Sequence, residues 1–168
     1  MEVGTIEIMP LLIVLFASIP EEFLITVLGL KLFGVKIRPL IGKIVVIAIL
    51  QAAISFSVRL LPLPFGIHTI LQIPLFALPL YLLLGLPYLY SLVVILISAT
   101  LYTILDASII PLLLYWTGIP LETVLTNTTL RLLFFIPQFT VMLLLVIIVS
   151  LKKIKIFDIN NYKLVNKE

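Results

Sequence analysis

The sequence predicts an all-α fold, a polytopic integral membrane bundle of helices in one domain. Of the 168 residues, 62% are hydrophobic and 11% are charged, whereas about a quarter of the residues of a soluble domain are charged. A surface this apolar requires lipid as its solvent, so we expect a multi-pass protein of the cell membrane, with the lipid bilayer as its first partner. The apolar residues also occur in stretches near the length of a membrane crossing.

Five stretches meet the length of about 20 mostly apolar residues that a crossing helix needs. The bundle is expected over residues 1–151, and residues 152–168 are expected to form a short basic cytoplasmic tail. Pro62 and Pro64 predict an extended turn between the second and third stretches, because proline disfavours helix in the residue before it. The five predicted spans are 8–32, 42–60, 67–85, 88–115 and 131–151.

The fourth stretch admits a second interpretation. A break near Asp106 would divide it and give six helices, but the piece that follows is short for a full crossing. A kink at Pro111 accounts for the same residues within one helix, because proline removes a backbone donor and bends a helix that neighbouring helices can still support. Pro74 and Pro79 predict similar bends, or hinges, in the third stretch.

Lysine and arginine predict the orientation, since the loops on the cytoplasmic side of a membrane carry an excess of both. With five spans, nine of the eleven basic residues fall on one side, which predicts an outside N-terminus and a cytoplasmic C-terminus. Six spans would divide these residues between the two sides. The nine are Lys31, Lys36, Arg38, Lys43, Lys152, Lys153, Lys155, Lys163 and Lys167.

Two adjacent carboxylates interrupt the first apolar stretch. Glu21 is expected near the middle of the span, and Glu22 points about 100° away around the helix. Ser18 and Glu21 also match the Ser-x-x-Glu capping box, with Pro20 in the first turn. One interpretation is therefore local: Ser18 caps a helix that restarts at Ile19. The other is a broken helix that helps to build a site.

The remaining polar residues suggest where such a site would lie. Ionisable side chains cost free energy in a bilayer and therefore tend to face the interior of a bundle. We expect a polar, ligand-binding cavity open to the outside, with Glu21 or Glu22 at its floor and Asp106 paired with Arg59. The alternative is a set of contacts between helices with no ligand. The outer set is Arg59, His68, Asp106 and Arg131, and the inner set is Glu21, Gln51, Gln72 and Gln138.

The residues disfavour the enzyme classes that adjacent glutamates suggest. Intramembrane glutamate proteases of the CAAX-processing type carry an arginine where this chain has Thr26, and they need two histidines where it has one. One histidine and no cysteine give no metal-ligand spacing. No glycine-rich phosphate loop is present. We therefore expect no catalytic residue, no metal, no cofactor and no nucleic-acid partner.

The runs "SIPEEFLITVLGLKLFG" and "SFSVRLLPLPFGIHTILQ" resemble the membrane input region of multi-span sensor histidine kinases from spore-forming Gram-positive bacteria. The similarity covers spans 1 to 3, and "RLLPLPFGIHTI" is its most distinctive element. It implies a sensory module with an outside N-terminus. Neither a dimerisation helix nor an ATP-binding domain follows span 5, so the resemblance implies a detached input module that signals through a separate protein.

The leading functional hypothesis is therefore a non-enzymatic membrane sensor or regulator that binds a ligand or lipid in the outer cavity. The first alternative is the substrate-binding membrane subunit of a small-molecule uptake transporter, although such subunits have six spans in most cases. Span 1 offers a partner only Ala17, Ser18 and Gly29 as small contact residues. A structural subunit of a larger membrane complex is the third interpretation.

Overall fold

The computed structural model describes residues 11–61 and 67–157, and these residues form helices joined by short links, with no strand. The predicted all-α class is confirmed for this part of the chain. The helices are α1 (Leu11–Ile13), a π-helical turn (Val14–Ser18), α2 (Ile19–Leu32), a 3₁₀ turn (Arg38–Leu40), α3 (Ile41–Arg59), α4 (Ile67–Leu84), α5 (Tyr88–Thr117), α6 (Leu121–Thr126) and α7 (Thr128–Leu151).

Several predictions lie outside the described residues. These are the extended turn at Pro62 and Pro64, the part of span 1 before Leu11, and the tail from residue 158 onward with Lys163 and Lys167.

Three of the helical segments are long and apolar enough to cross a membrane: Arg38–Arg59, Tyr88–Thr117 and Thr128–Leu151. The apolar stretch Ile70–Leu84 in α4 is shorter. In the first predicted span, α2 alone has 14 residues, and the π-helical turn separates it from α1. The described residues therefore include three helices long enough for a membrane protein. The count of five crossings stays a prediction.

Helix α5 runs unbroken through Asp106 and Pro111 over 30 residues, so the break on which the six-helix alternative depends is absent. The helix ends where the sequence predicts. Gly118 has a φ of +65°, in the left-handed region that glycine adopts at little cost. Its N–H donates to the carbonyl of Leu114 at 2.9 Å, which closes the last turn. The six-residue helix α6 that follows is not among the predicted elements.

The predicted capping box at Ser18 is wrong. Ser18 has helical backbone angles (φ −63°, ψ −44°), and its side chain caps nothing. The helix does not restart there but widens: the N–H of Ile19 donates to the carbonyl of Val14, five residues earlier. Pro20 accounts for the wider turn, because proline has no N–H to continue the α-helical pattern and its ring crowds the preceding turn.

The helices alternate in direction, so their ends gather into two groups. One group holds the link between α2 and α3, the link between α4 and α5, and the residues after α7. Two contacts tie it together: the N–H of Ile156 donates to the carbonyl of Leu32 at 2.7 Å, and the Lys43 ammonium donates to the carbonyl of Leu83 at 2.9 Å. We call this the basic end, since it carries Lys31, Lys36, Arg38, Lys43, Lys152, Lys153 and Lys155.

Helix α2 lies at the centre of the bundle and packs against α3, α5 and α7. Its approach to α5 is close, because Gly29 lies directly against that helix. A β-carbon at Gly29 would come within 2.8 Å of Val94 Cγ1 and 2.9 Å of Ser98 Oγ. Small residues allow helix backbones to approach in this way in membrane proteins. Gly29 is therefore a contact inside the chain rather than a surface offered to another subunit.

Candidate polar cavity

A cavity of about 590 Å³ lies toward the end of the bundle opposite the basic end. Three helices each contribute one stripe of residues spaced three or four apart, which places them on one face. The helical segment Leu11–Leu32, which comprises α1, the π-helical turn and α2, contributes Ile13, Ala17, Ser18 and Glu21; α5 contributes Tyr102, Asp106 and Ile110; and α7 contributes Arg131, Phe134, Phe135 and Gln138. The short helix α6 supplies Leu121, Val124 and Leu125, and Arg59 reaches the cavity from the end of α3.

The polar residues of the cavity form two layers. The distance from the basic end along each helix follows from about 1.5 Å of rise per residue. The inner layer, at about 17 to 21 Å, we call the floor, and it consists of Ser18, Glu21, Tyr102 and Gln138. The outer layer, at about 27 to 30 Å, we call the rim, and it consists of Arg59, Asp106 and Arg131.

Hydrogen bonding and charge connect the floor to the rim. The hydroxyl of Tyr102 is hydrogen-bonded to the carboxylate of Glu21. Glu21 is also close enough to Arg59 to be attracted by it, and close enough to Asp106 to be repelled. Both Glu21 and Asp106 are half-buried. The cavity therefore holds two carboxylates and two guanidinium groups, one pair of which interacts across the two layers.

Gln138 is buried in the wall of the cavity, with 3% of its side chain exposed. Its amide lies within hydrogen-bonding reach of the carboxyl group of Asp106. This contact joins α7 to α5 between the two layers of the cavity.

Three of the predicted site residues lie elsewhere, in the seam between α3 and α4. The ring Nδ1 of His68 lies 3.1 Å from the carbonyl of Val58, and Gln72 Nε2 donates to Ser55 Oγ at 3.1 Å. Gln51 Nε2 donates to the carbonyl of Phe76, also at 3.1 Å. The two helices are antiparallel, so these three contacts follow one another at intervals of about one helical turn, backward along α3 and forward along α4. Gln51, His68 and Gln72 therefore make contacts between helices, which is the alternative to a ligand site that the sequence analysis gives.

Gln51 also joins a third helix to this seam, since its Oε1 accepts a hydrogen bond of 2.8 Å from the hydroxyl of Thr26 in α2. Both polar groups of the Gln51 amide are therefore used within the fold.

Glu22 is buried but does not line the cavity. It is 5% exposed, and its Oε2 has no hydrogen-bond partner in the described part of the chain. Of the two glutamates that could lie at the floor, the structure therefore selects Glu21. In all, the cavity brings together five of the nine predicted site residues: Glu21, Arg59, Asp106, Arg131 and Gln138.

Tyr102 and the aromatic pair Phe134 and Phe135 are cavity residues that the sequence analysis does not identify. Tyr102 lies one turn before Asp106 on the same face of α5, and that spacing is the signal that could have found it. Phe134 and Phe135 sit between Arg131 and Gln138 in an apolar stretch, where nothing in the sequence separates them from ordinary core residues.

Among the described residues, no group of three or more histidine, aspartate or glutamate side chains is arranged to hold a metal ion. The lining of the cavity offers charged and hydrogen-bonding groups next to apolar side chains. The chain was compared with protein-family models, curated proteins and solved structures, and none of the three comparisons found a match.

Proposed function

We propose that this chain is a non-enzymatic membrane sensor or regulatory module. It binds a ligand or lipid in the cavity and signals through a separate protein. In this proposal five helices cross the cell membrane, with the N-terminus outside. The basic end then lies in the cytoplasm, as the excess of lysine and arginine there favours, and the cavity opens toward the outside.

The observation that carries the proposal is the cavity of about 590 Å³, in which Glu21, Arg59, Asp106 and Arg131 lie together beside apolar side chains. Ligand sites have this composition: they are concave and mostly apolar, with a few polar groups that fix the orientation of the ligand. Gln51, by contrast, lies outside the cavity, and both polar groups of its amide are used between helices.

Five crossings are compatible with the lengths of the helices. The helix from Leu11 to Leu32 is continuous through the π-helical turn, and its 22 residues measure about 33 Å at about 1.5 Å per residue. Helix α4 has 18 residues, or about 27 Å. A hydrocarbon core is about 30 Å thick, and small mismatches are accommodated by tilt or local thinning.

A route from the cavity to the basic end runs along α7. Gln138 lines the cavity, and Pro137 beside it removes a backbone hydrogen bond and provides a point at which the helix can bend. The same helix leads to Ile156, which is hydrogen-bonded to Leu32 at the end of α2. A ligand that moves α7 relative to α2 would therefore change this contact, which gives the proposed sensor two distinguishable states.

Copurification of the tagged full chain from the membranes of its native host, in a mild detergent, tests the proposal. A partner that phosphorylates itself with ATP supports a sensor. A partner ATPase of an uptake transporter would instead support the alternative, for which the same cavity would hold the transported substrate. The kinase activity should also change when Ala17→Leu fills the cavity and should not change with Thr140→Val, an exposed position on α7. Equal activity in both variants would contradict the proposal.

A further inference from the structure

The charges of the cavity restrict the kind of molecule that it suits. The two arginines and the two carboxylates balance, so the lining residues have no net formal charge. A simple anion or cation would leave an uncompensated charge beside apolar side chains, which is costly. A molecule that carries one charge of each sign would leave the site neutral while pairing with groups of both signs.

The positions of the charges favour a compact zwitterionic group at the rim. Arg59 and Arg131 lie in the same layer, at the outer end of α3 and near the start of α7. A guanidinium group binds phosphate and carboxylate oxygens with paired hydrogen bonds. Asp106 lies in that layer too and offers its carboxylate to an ammonium group.

Most of the remaining lining is apolar. Leu121 and Leu125 from α6 and Phe134 and Phe135 from α7 form one apolar wall of the cavity, and Ile13, Ala17 and Ile110 contribute apolar surface from the other helices. The wall of α6 and α7 suits a hydrocarbon chain.

We infer that the ligand of the proposed sensor is a zwitterionic amphiphile, with its anionic group between Arg59 and Arg131, its ammonium group at Asp106, and a hydrocarbon chain along the wall of α6 and α7. This inference rests on the proposed function and specifies the chemistry of its ligand. A phospholipid with an ethanolamine headgroup has these features, and a soluble ligand could carry the same headgroup chemistry without the long chains.

Three probes distinguish these sources in a binding measurement on the purified full chain in neutral detergent. They are phosphatidylethanolamine, phosphatidylglycerol with the same acyl chains, and O-phosphoethanolamine without chains. We expect phosphatidylethanolamine to bind at least about tenfold more tightly than phosphatidylglycerol, since the ammonium–carboxylate contact is a charged hydrogen bond. Binding of O-phosphoethanolamine equal to that of the lipid would identify a soluble source for the same chemistry.

A substitution then assigns the ammonium contact. Asp106→Asn should remove most of the preference for the ethanolamine lipid. The matched control is Ser108→Ala, two residues away on the same helix. Ser108 is exposed, and its hydroxyl group donates to the backbone of its own helix.

The inference is overturned if phosphatidylglycerol binds as tightly as phosphatidylethanolamine, or if Asp106→Asn leaves the preference intact. The proposed function survives either result, because the response of a partner to Ala17→Leu tests it separately. If the kinase activity of the partner is unchanged by Ala17→Leu while the native chain still prefers phosphatidylethanolamine, the sensor function is overturned. The protein would then be a lipid-binding membrane protein.

Discussion

The hydroxyl of Thr26 donates a hydrogen bond of 2.8 Å to the side-chain oxygen of Gln51, and the nitrogen of the same amide donates to the carbonyl of Phe76. One amide therefore holds α2, α3 and α4 together. Gln51 and Thr26 are both fully buried. Water cannot replace either bond, so the three helices depend on this amide more than on any single exposed polar group of the seam.

Gln51→Leu should therefore destabilise the protein, because it leaves the Thr26 hydroxyl and the Phe76 carbonyl without their partner. The expected loss is about 1–3 kcal/mol in the free energy of unfolding. Detergent-induced unfolding followed by circular dichroism measures it. Ser57→Ala is the control, since Ser57 is on the same helix, is exposed and bonds only to its own backbone at Ala53. A loss no larger than that of the control would contradict the structural role of Gln51.

Gly29→Ala should destabilise the contact between α2 and α5, because the added methyl group would overlap Val94 and Ser98. Overpacking of this kind costs about 1–3 kcal/mol. The double variant with Val94→Ala should recover part of the loss, since it removes the nearest atom. Gly42→Ala is a matched control, because a β-carbon there meets no atom within 4 Å. Thermal unfolding in detergent compares the three, and equal effects of Gly29→Ala and Gly42→Ala would refute the close approach.

Two double-mutant cycles identify the charge partner of Arg59. The structure places Arg59 close enough to Glu21 for electrostatic attraction, whereas the sequence analysis predicts a pair with Asp106. Arg59→Gln should show a measurable coupling with Glu21→Gln, because the two opposite charges attract each other. We expect a smaller coupling with Asp106→Asn. Chemical denaturation of the single and double variants measures both. Additive effects in the Glu21 cycle would exclude that pair.

Ile156→Pro should loosen the segment after α7, because proline lacks the N–H that bonds to the carbonyl of Leu32. The loss of one such bond is worth about 1 kcal/mol, which raises the open fraction of the segment roughly fivefold. Hydrogen exchange of residues 152–157, measured by mass spectrometry, reports this opening. Ile156→Ala keeps the N–H, so the hydrogen exchange of residues 152–157 in this variant should be close to that of the native chain. Identical exchange in the two variants would show that the bond does not hold the segment.

Cysteine labelling tests the arrangement of the ends, and the chain has no cysteine of its own. Single cysteines at Lys36 and Lys152 should react with a membrane-impermeant reagent from one side of sealed vesicles, because both positions lie at the basic end. A cysteine at Glu122, in the exposed surface of α6, should react from the other side. If the cysteines at positions 36 and 152 are labelled from opposite sides, both the fold and the orientation are contradicted.

The positions of the long helices follow from the sequence because hydrophobic length is a local signal. The predicted span 88–115 corresponds to α5 (Tyr88–Thr117), and the predicted span 131–151 corresponds to α7 (Thr128–Leu151). The π-helical turn is not local in that sense. Ser18, Pro20 and Glu21 match a capping box, and only the continuation of the helix on both sides turns the same residues into a widened turn.

The site was predictable in composition and less so in arrangement. Glu21, Arg59, Asp106 and Gln138, which the sequence analysis assigns to the site from their depths along the helices, all line the cavity. Depth does not give the direction around the helix axis, however. Gln51, His68 and Gln72 have suitable depths but point into the α3–α4 seam. Which face meets which neighbour is decided by packing, as the close contact at Gly29 illustrates.

The hydrogen bond from Ile156 to Leu32 also has a bearing on how another protein would meet this one. It brings the chain that leaves the last helix next to the loop that joins α2 to α3, so that Lys36 and Lys155 belong to one shared surface. A protein that docks there would contact both the segment after α7 and the link between α2 and α3. A small change in the distance between these two segments would therefore alter its binding surface, even if no helix moved far.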